Sequence, residues 1–131
     1  MRVLLVDDQS AFRRAASRVL ARMPDFHVVG EVESGEASVQ AARELQPDLV
    51  LMDVHLPGID GLEATRQILS EAATGCQKTP VVFLLSTYEA ADFATQTDAC
   101  GAAAYLPKAD FGVATLRAAW SASRPSEPGM P

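Results

Sequence analysis

The chain has 131 residues, of which 48% are hydrophobic and 21% charged, so we expect one globular domain with one core. Its net charge of −6 disfavours nucleic-acid binding through its own surface, because that affinity comes largely from Lys and Arg on phosphates. The longest apolar runs have five residues, too few to span a bilayer, and we see no secretory signal. We therefore expect a cytoplasmic protein that contacts neither nucleic acid nor membrane.

Short apolar runs alternate with helical patterns along most of the chain. In order, we predict a strand over 2–6, a helix over 11–23, a strand over 26–32, a helix over 34–45, a strand over 49–52, a helix over 62–73, a strand over 81–85, a helix over 89–99, a strand over 103–106 and a helix over 110–121. Five successive βα units predict a doubly wound (βα)5 fold: an α/β protein with a parallel five-stranded sheet and helices on both faces.

Several signals set the limits of these elements. Ser10 is the predicted cap of the first helix, and Asp110 that of the last. Residues 1–121 would form the domain, and residues 122–131, rich in Pro and Ser, a flexible tail or a truncated linker. We interpret Cys76 and Cys100 as reduced thiols, since they form no CxxC pair. Four arginines of the first helix are interpreted as a solvated face: Arg13, Arg14, Arg18 and Arg22.

Five polar groups follow the predicted strands at the point where each strand ends. These are Asp7 and Asp8, then Asp53, Ser86 and Lys108. Because ligands of an open parallel sheet bind beyond the carboxyl ends of its strands, we expect the five groups to converge. Mg²⁺ prefers oxygen ligands and commonly combines one or two carboxylates with a phosphate. The pattern predicts a divalent cation with a phosphoryl group beside it.

Asp53 is the predicted reacting group. A carboxylate at the end of a buried strand can attack a phosphoryl centre in line and form an aspartyl phosphate, while a cation screens the charges. Lys108 could place a positive charge on one phosphoryl oxygen, and Ser86 could donate a hydroxyl proton to another. Taken singly, these residues are equally well explained as turn formers, caps or a solvated lysine, and it is their order that favours a site.

The ordered set of motifs is similar to that of a known family. LLVDD at 4–8, LMDVHLPGIDG at 51–61, Ser86-Thr87, and GAAAYLPK at 101–108 together resemble the receiver domain of bacterial two-component response regulators (CheY-like). The resemblance covers about residues 2–121, and it is greatest to receivers that precede LuxR-type DNA-binding domains. It implies a flavodoxin-like sheet with strand order 2-1-3-4-5.

The resemblance also implies roles around a Mg²⁺ (or Mn²⁺) ion. Asp53 matches the phosphoacceptor and Asp8 the direct metal ligand of the acid pair. Asp7 matches the acid that usually acts through water, and the backbone carbonyl of His55 matches the third protein ligand.

Further matches concern the switch and the lifetime of the phosphate. Lys108 matches the lysine that contacts the phosphoryl group, Ser86 the switch hydroxyl, and Tyr105 the aromatic whose rotamer reports activation. The positions that tune phosphate lifetime and access are occupied by His55, Thr87 and Tyr88. One departure is Ala109, which stands where many receivers have proline.

The implied partner is a sensor histidine kinase or a phosphotransfer protein, which supplies the phosphoryl group. Activation would alter the surface formed by residues 89–99, 103–106 and 110–121, with a homodimer as one outcome. The chain could stand alone or be the amino-terminal part of a transcription regulator. We expect a switch rather than an enzyme, although its own pocket would catalyse phosphorylation and dephosphorylation.

Three alternatives stay open. A small aspartate-nucleophile phosphatase of the haloacid-dehalogenase type would need a second acid where His55 stands. A flavodoxin-like flavin binder would need a glycine-rich loop where Asp7 and Asp8 stand. A degenerate receiver would serve as an interaction module without accepting phosphate.

Overall fold

The computed structural model describes residues 1–75, 78–87 and 99–123. The strands are β1 (Arg2–Val6), β2 (His27–Val32), β3 (Leu49–Asp53), β4 (Val81–Ser86) and β5 (Ala104–Pro107). The described helices are α1 (Ser10–Ala21), α2 (Gly35–Leu45), α3 (Gly61–Thr74) and, numbered consecutively, α4 (Val113–Ser123). The sheet is parallel with order β2-β1-β3-β4-β5, which confirms the predicted fold.

Some predicted segments lie outside the described residues. The helix predicted over residues 89–99 does so except for its last residue, and the predicted tail does so from residue 124 onward. Helix α4 continues to Ser123, two residues into the segment predicted as tail. None of the helices within the described ranges is long and apolar enough to cross a membrane.

Two predicted helix starts are wrong. Gln9, not Ser10, is the N-cap of α1, because the Gln9 carbonyl already accepts from the N–H groups of Phe12 and Arg13, 3.1 and 3.2 Å away. Asp110 does not cap the last helix. It belongs to a 3₁₀ turn over Lys108–Asp110, and α4 begins only at Val113.

The three central strands, β1, β3 and β4, are almost wholly buried, as a parallel sheet with helices on each side requires. Alternate residues of the strands point to opposite sides because the side-chain period of a strand is two. Leu4, Val50 and Leu84 pack with residues of α2 and α3. The other face packs with residues of α1 and α4, and its strand residues are Val3, Leu5, Leu49, Leu51, Phe83 and Leu85.

The strand register brings the predicted site residues to one edge of the sheet. Val6 pairs with Met52, so Asp7 and Asp53 follow adjacent positions of neighbouring strands. Asp53 in turn pairs with Leu85, directly before Ser86. Lys108 comes immediately after β5. A shift of one residue in any of these pairings would send each side chain to the opposite core face and would move the site residues out of line, so the register is strongly specified.

The turn after β3 depends on a close backbone approach at Gly61. The Gly61 N–H donates to the Val54 carbonyl at 2.9 Å, and the first turn of α3 thereby lies against the end of β3. A β-carbon at position 61 would overlap the Asp53 carbonyl oxygen and lie 2.9 Å from the Asp53 carbonyl carbon. Glycine is therefore required by the contact between α3 and the strand that carries Asp53.

We expect Gly61→Ala to lower the free energy of unfolding by about 1–3 kcal/mol, because the overlapped atoms are backbone atoms that cannot rotate away. Gly112→Ala is the matched control, since a β-carbon there meets nothing within 4 Å. It should stay within about 0.5 kcal/mol of the wild type in urea denaturation. Equal stability of the two variants would contradict this packing argument.

Candidate functional site

Three carboxylates and one ammonium group meet at the carboxyl ends of the strands. Asp7 and Asp8 follow β1, and Asp53 ends β3. One oxygen from each of these carboxylates lies within 4.8 Å of an oxygen of the other two. Asp7 and Asp53 are buried, whereas Asp8 is exposed. The convergence predicted from the strand ends is present for these residues and for Lys108.

The two oxygens of the Asp7 carboxylate are held in different ways. Its Oδ1 accepts a hydrogen bond of 2.8 Å from the Gln9 N–H. Its Oδ2 lies 2.6 Å from the Lys108 Nζ, yet this buried oxygen accepts no well-directed hydrogen bond from the described residues. A buried carboxylate oxygen met only by a charge contact is suited to a cation, or to a water molecule that binds one.

Lys108 is a buried bridge between two of the acids. Its side chain is 9% exposed, and Nζ lies 2.6 Å from Asp7 Oδ2 and 3.6 Å from Asp53 Oδ2. It also lies 3.4 Å from Gln9 Oε1 and 4.8 Å from the centroid of the Phe12 ring. The interpretation as a solvated lysine is excluded by these contacts. The described residues contain no cis peptide, so Ala109 follows Lys108 through a trans bond and the ammonium still reaches both acids.

The surroundings of Asp53 disfavour its ionised form. The pKa of the Asp53 carboxyl is raised to about 6, chiefly by burial and next by the Asp7 charge, although Lys108 and the His55 N–H act in the opposite direction. That N–H donates to Asp53 Oδ1 at 3.2 Å. A proton and a metal ion therefore compete for the carboxylate, and a bound cation would favour its ionised form.

The other predicted site residues differ in burial. Ser86 is fully buried at the end of β4, and Thr87 after it is exposed. His55 is exposed, two residues after Asp53. Tyr105 is half-buried on β5 and packs against the core cluster that contains Leu84. Tyr88 lies outside the described residues.

Three contacts at the site were not predicted from the sequence. Gln9 and Phe12 contact the Lys108 ammonium, and Arg13 donates a hydrogen bond to the backbone carbonyl of Asp7. The interpretation of Arg13 as part of a solvated face is wrong, because its side chain is only 15% exposed. The available signal was position: side chains in the first turn of a helix lean back toward its N-terminus, here toward the strand end.

The residues present fit a hard divalent cation. Carboxylate oxygens are the ligands that Mg²⁺ uses, and three acids in one place repel one another unless a cation offsets their charge. The raised pKa of Asp53 follows from its burial and from the charge of Asp7, and a bound cation would lower it.

Comparison with known proteins gives a family match over most of the chain. Residues 3–120 match the family model described as the response regulator receiver domain. The chain is 43% identical to the response regulator GacA of Pseudomonas viridiflava, over 82% of this chain and 48% of that protein. It is 34% identical to the transcriptional regulatory protein DegU of Brevibacillus brevis, over 82% and 44%. The chain thus spans about half the length of the curated relatives it matches.

Solved structures agree with the fold. The receiver domain of NarL from Mycobacterium tuberculosis is 31% identical, with a TM-score of 0.73 over 91% of this chain and 95% of that chain. The response regulator domain of CheB from Thermotoga maritima is 27% identical, with a TM-score of 0.79 over 97% and 98%.

Replacing Asp53 by Asn should stabilise the metal-free chain by about 2–3 kcal/mol at pH 7, because a buried ionised carboxylate with a pKa of about 6 is removed. The sign follows from the raised pKa. Ionised Asp53 destabilises the fold above pH 6, and the penalty is lost as the pH falls from 6 toward the unfolded value of 3.8. The measurement is urea denaturation in a chelator between pH 4 and pH 8.

The control is Asp25→Asn, which removes the same charge from an exposed carboxylate paired only weakly with Arg117 at 3.4 Å. This variant should unfold like the wild type across the pH series. An Asp53→Asn advantage that does not shrink on acidification would contradict the raised pKa.

Proposed function

Because the chain belongs to the response regulator receiver domain family, we propose that it is a phosphorylation-dependent switch of a two-component system in which Asp53 accepts the phosphoryl group. The observation that carries the proposal is the meeting of Asp7, Asp8 and Asp53 with the Lys108 ammonium at one sheet edge. The chain is then a signalling module rather than an enzyme that turns over an external metabolite.

In the proposed transfer, an Asp53 carboxylate oxygen attacks phosphorus in line. A new O–P bond forms as the bond between phosphorus and the donor's leaving atom breaks, and the leaving group keeps the electron pair of that bond. Position and charge neutralisation supply most of the catalysis in phosphoryl transfer. Burial of Asp53 supports this role, because it removes the water shell that would otherwise compete for the carboxylate.

Lys108 would offset part of the incoming negative charge, and the metal ligands would hold the cation that offsets the rest. With Nζ 3.6 Å from Asp53 Oδ2, Lys108 needs only a small movement to contact a phosphoryl oxygen there. Asp8, Asp53 and the backbone carbonyl of His55 would bind Mg²⁺ or Mn²⁺ directly, and Asp7 would bind it through water. The ion supplies screening between the carboxylate and the transferred oxygens.

The proposed output begins at Ser86 and Tyr105. The phosphoryl group adds charge and acceptor oxygens, toward which the Ser86 hydroxyl moves. Tyr105, half-buried on the neighbouring strand, then rotates inward and alters the surface around β5 and α4. This is a shift between two packings of one chain, and self-association of the activated form is one consequence.

The proposed phosphoryl donor is a sensor histidine kinase or a phosphotransfer protein. Receivers of this family accept phosphoryl groups from such proteins, and the regulators that the chain resembles are about twice its length. The phosphorylated surface would act on the output part of such a regulator or on a separate partner in the cytoplasm. Gene regulation is the output that the DegU relative's description supports.

Acetyl phosphate with Mg²⁺ should add the mass of one phosphoryl group to the wild type and none to Asp53→Asn, because the amide is not a nucleophile for this transfer. Intact-mass spectrometry measures the gain directly. Asp25→Asn should be phosphorylated like the wild type, since Asp25 precedes β2 at the opposite end of the sheet. A wild type that binds Mg²⁺ but never gains mass would instead be a non-phosphorylated interaction module.

Replacing both His55 and Tyr88 by Ser should shorten the lifetime of the phosphorylated chain several-fold. Their side chains are proposed to flank the phosphoryl group and to restrict entry of the attacking water, and His55 is exposed beside Asp53. The rate of phosphate release from purified phosphoprotein is the readout. An unchanged half-life in the double variant would remove this hypothesis.

Thr87→Ala should instead speed phosphorylation by a small donor, because less bulk then stands at the entrance.

A further inference from the structure

Helix α1 carries four arginines, and one of them is held differently from the other three. Arg14, Arg18 and Arg22 are exposed, and none of them forms an ion pair with any residue in the described ranges. Arg13 is turned toward the sheet, and its side chain is 15% exposed. A charged side chain is seldom so far buried unless its contacts compensate for lost hydration.

The Arg13 guanidinium joins the end of β1 to the end of β2. Its Nη1 donates a hydrogen bond to the Asp7 backbone carbonyl. Its Nε lies 3.3 Å from Glu31 Oε1, on β2, and Nη1 lies 3.7 Å from Glu33 Oε1, just after β2. The planar, branched guanidinium can make these contacts together, which the single ammonium of a lysine cannot do.

The contacts fix the backbone of Asp7 from both sides. Its N–H donates to the Val32 carbonyl at 3.1 Å, and its C=O accepts from Arg13. Its side chain accepts from the Gln9 N–H at 2.8 Å. The direction in which Asp7 and the following Asp8 present their carboxylates is therefore set by the connection between β1 and β2.

Arg13 contacts the acid pair through the Asp7 backbone carbonyl rather than through a carboxylate. Its charge is opposed by Glu31 and Glu33, so its contact with the site is chiefly one of geometry.

We propose that Arg13 is a positioning residue for the metal site, which holds the Asp7–Asp8 segment in the orientation that binds a divalent cation. The inference rests on the proposed function, because it assumes that these acids bind Mg²⁺. It extends that function by assigning part of the metal affinity to a side chain that touches neither the metal nor the phosphoryl group.

The test is calorimetric titration of the unphosphorylated full chain with Mg²⁺, comparing Arg13→Lys, Arg13→Met and Arg14→Met. Loss of a group that orients a metal ligand typically weakens affinity by about 10–100-fold, and we expect about tenfold for both Arg13 variants. Arg13→Lys should fail to rescue, because it keeps the charge and loses the branched contact. Arg14→Met, which removes an exposed charge from the same helix, should bind like the wild type.

A second readout separates positioning from a general loss of structure. In phosphorylation by acetyl phosphate, the half-saturating Mg²⁺ concentration should rise in Arg13→Lys, while the rate at saturating Mg²⁺ stays near that of the wild type. A merely structural role would lower the thermal midpoint in a chelator without weakening Mg²⁺ binding below that midpoint. If Arg13→Met does not fold, Arg13→Lys, which keeps the aliphatic stem, decides the question.

The outcomes distinguish the two proposals. A wild type that does not bind Mg²⁺ overturns the proposed function. A wild type that binds Mg²⁺ together with an Arg13→Lys variant of equal affinity overturns the role of Arg13 and leaves the proposed function standing.

Discussion

The main constraint on this structure is the repulsion among three carboxylates that the sheet brings together. Asp7, Asp8 and Asp53 each offer an oxygen within 4.8 Å of the others, and two of the three are buried. Among the residues that the structure describes, Lys108 is the cation that offsets this charge from within, at 2.6 Å from Asp7 and 3.6 Å from Asp53. Such a cluster of like charges gains most from a bound cation and from a phosphoryl group that contacts the lysine.

The rigid apolar strands hold the three carboxylates together despite their repulsion. Each site residue follows a strand whose side chains are locked into one of two core clusters, so the strand ends cannot separate to relieve the repulsion. The flanking loops are fixed by specific contacts: Gly61 lies against the end of β3, and Arg13 ties the end of β1 to β2. The repulsion that makes the site reactive thus lowers the stability of the fold locally, and packing of the core compensates for that loss.

Much of the fold could be predicted because its pattern is strong and local. Continuous apolar runs such as residues 49–52 predict strands buried on both faces, and the alternation with helical spacing predicts a parallel sheet. Helix starts were less predictable: Ser10 and Asp110 are good caps by type, but the backbone hydrogen bonds begin elsewhere. The roles assigned to Ser86, Tyr105 and His55 remain predictions from family resemblance.

The sequence by itself determined which polar groups follow which strands, and therefore that Asp7, Asp8, Asp53 and Lys108 share one edge, because parallel strands place all their carboxyl ends together. Only the tertiary structure decided how those groups are held. Arg13 and Arg14 are adjacent in α1 and are the same type of residue, yet the packing of that helix turns Arg13 toward Asp7 and leaves Arg14 in solvent. Periodicity specifies the face of a helix, whereas side-chain partners depend on distances between segments far apart in the chain.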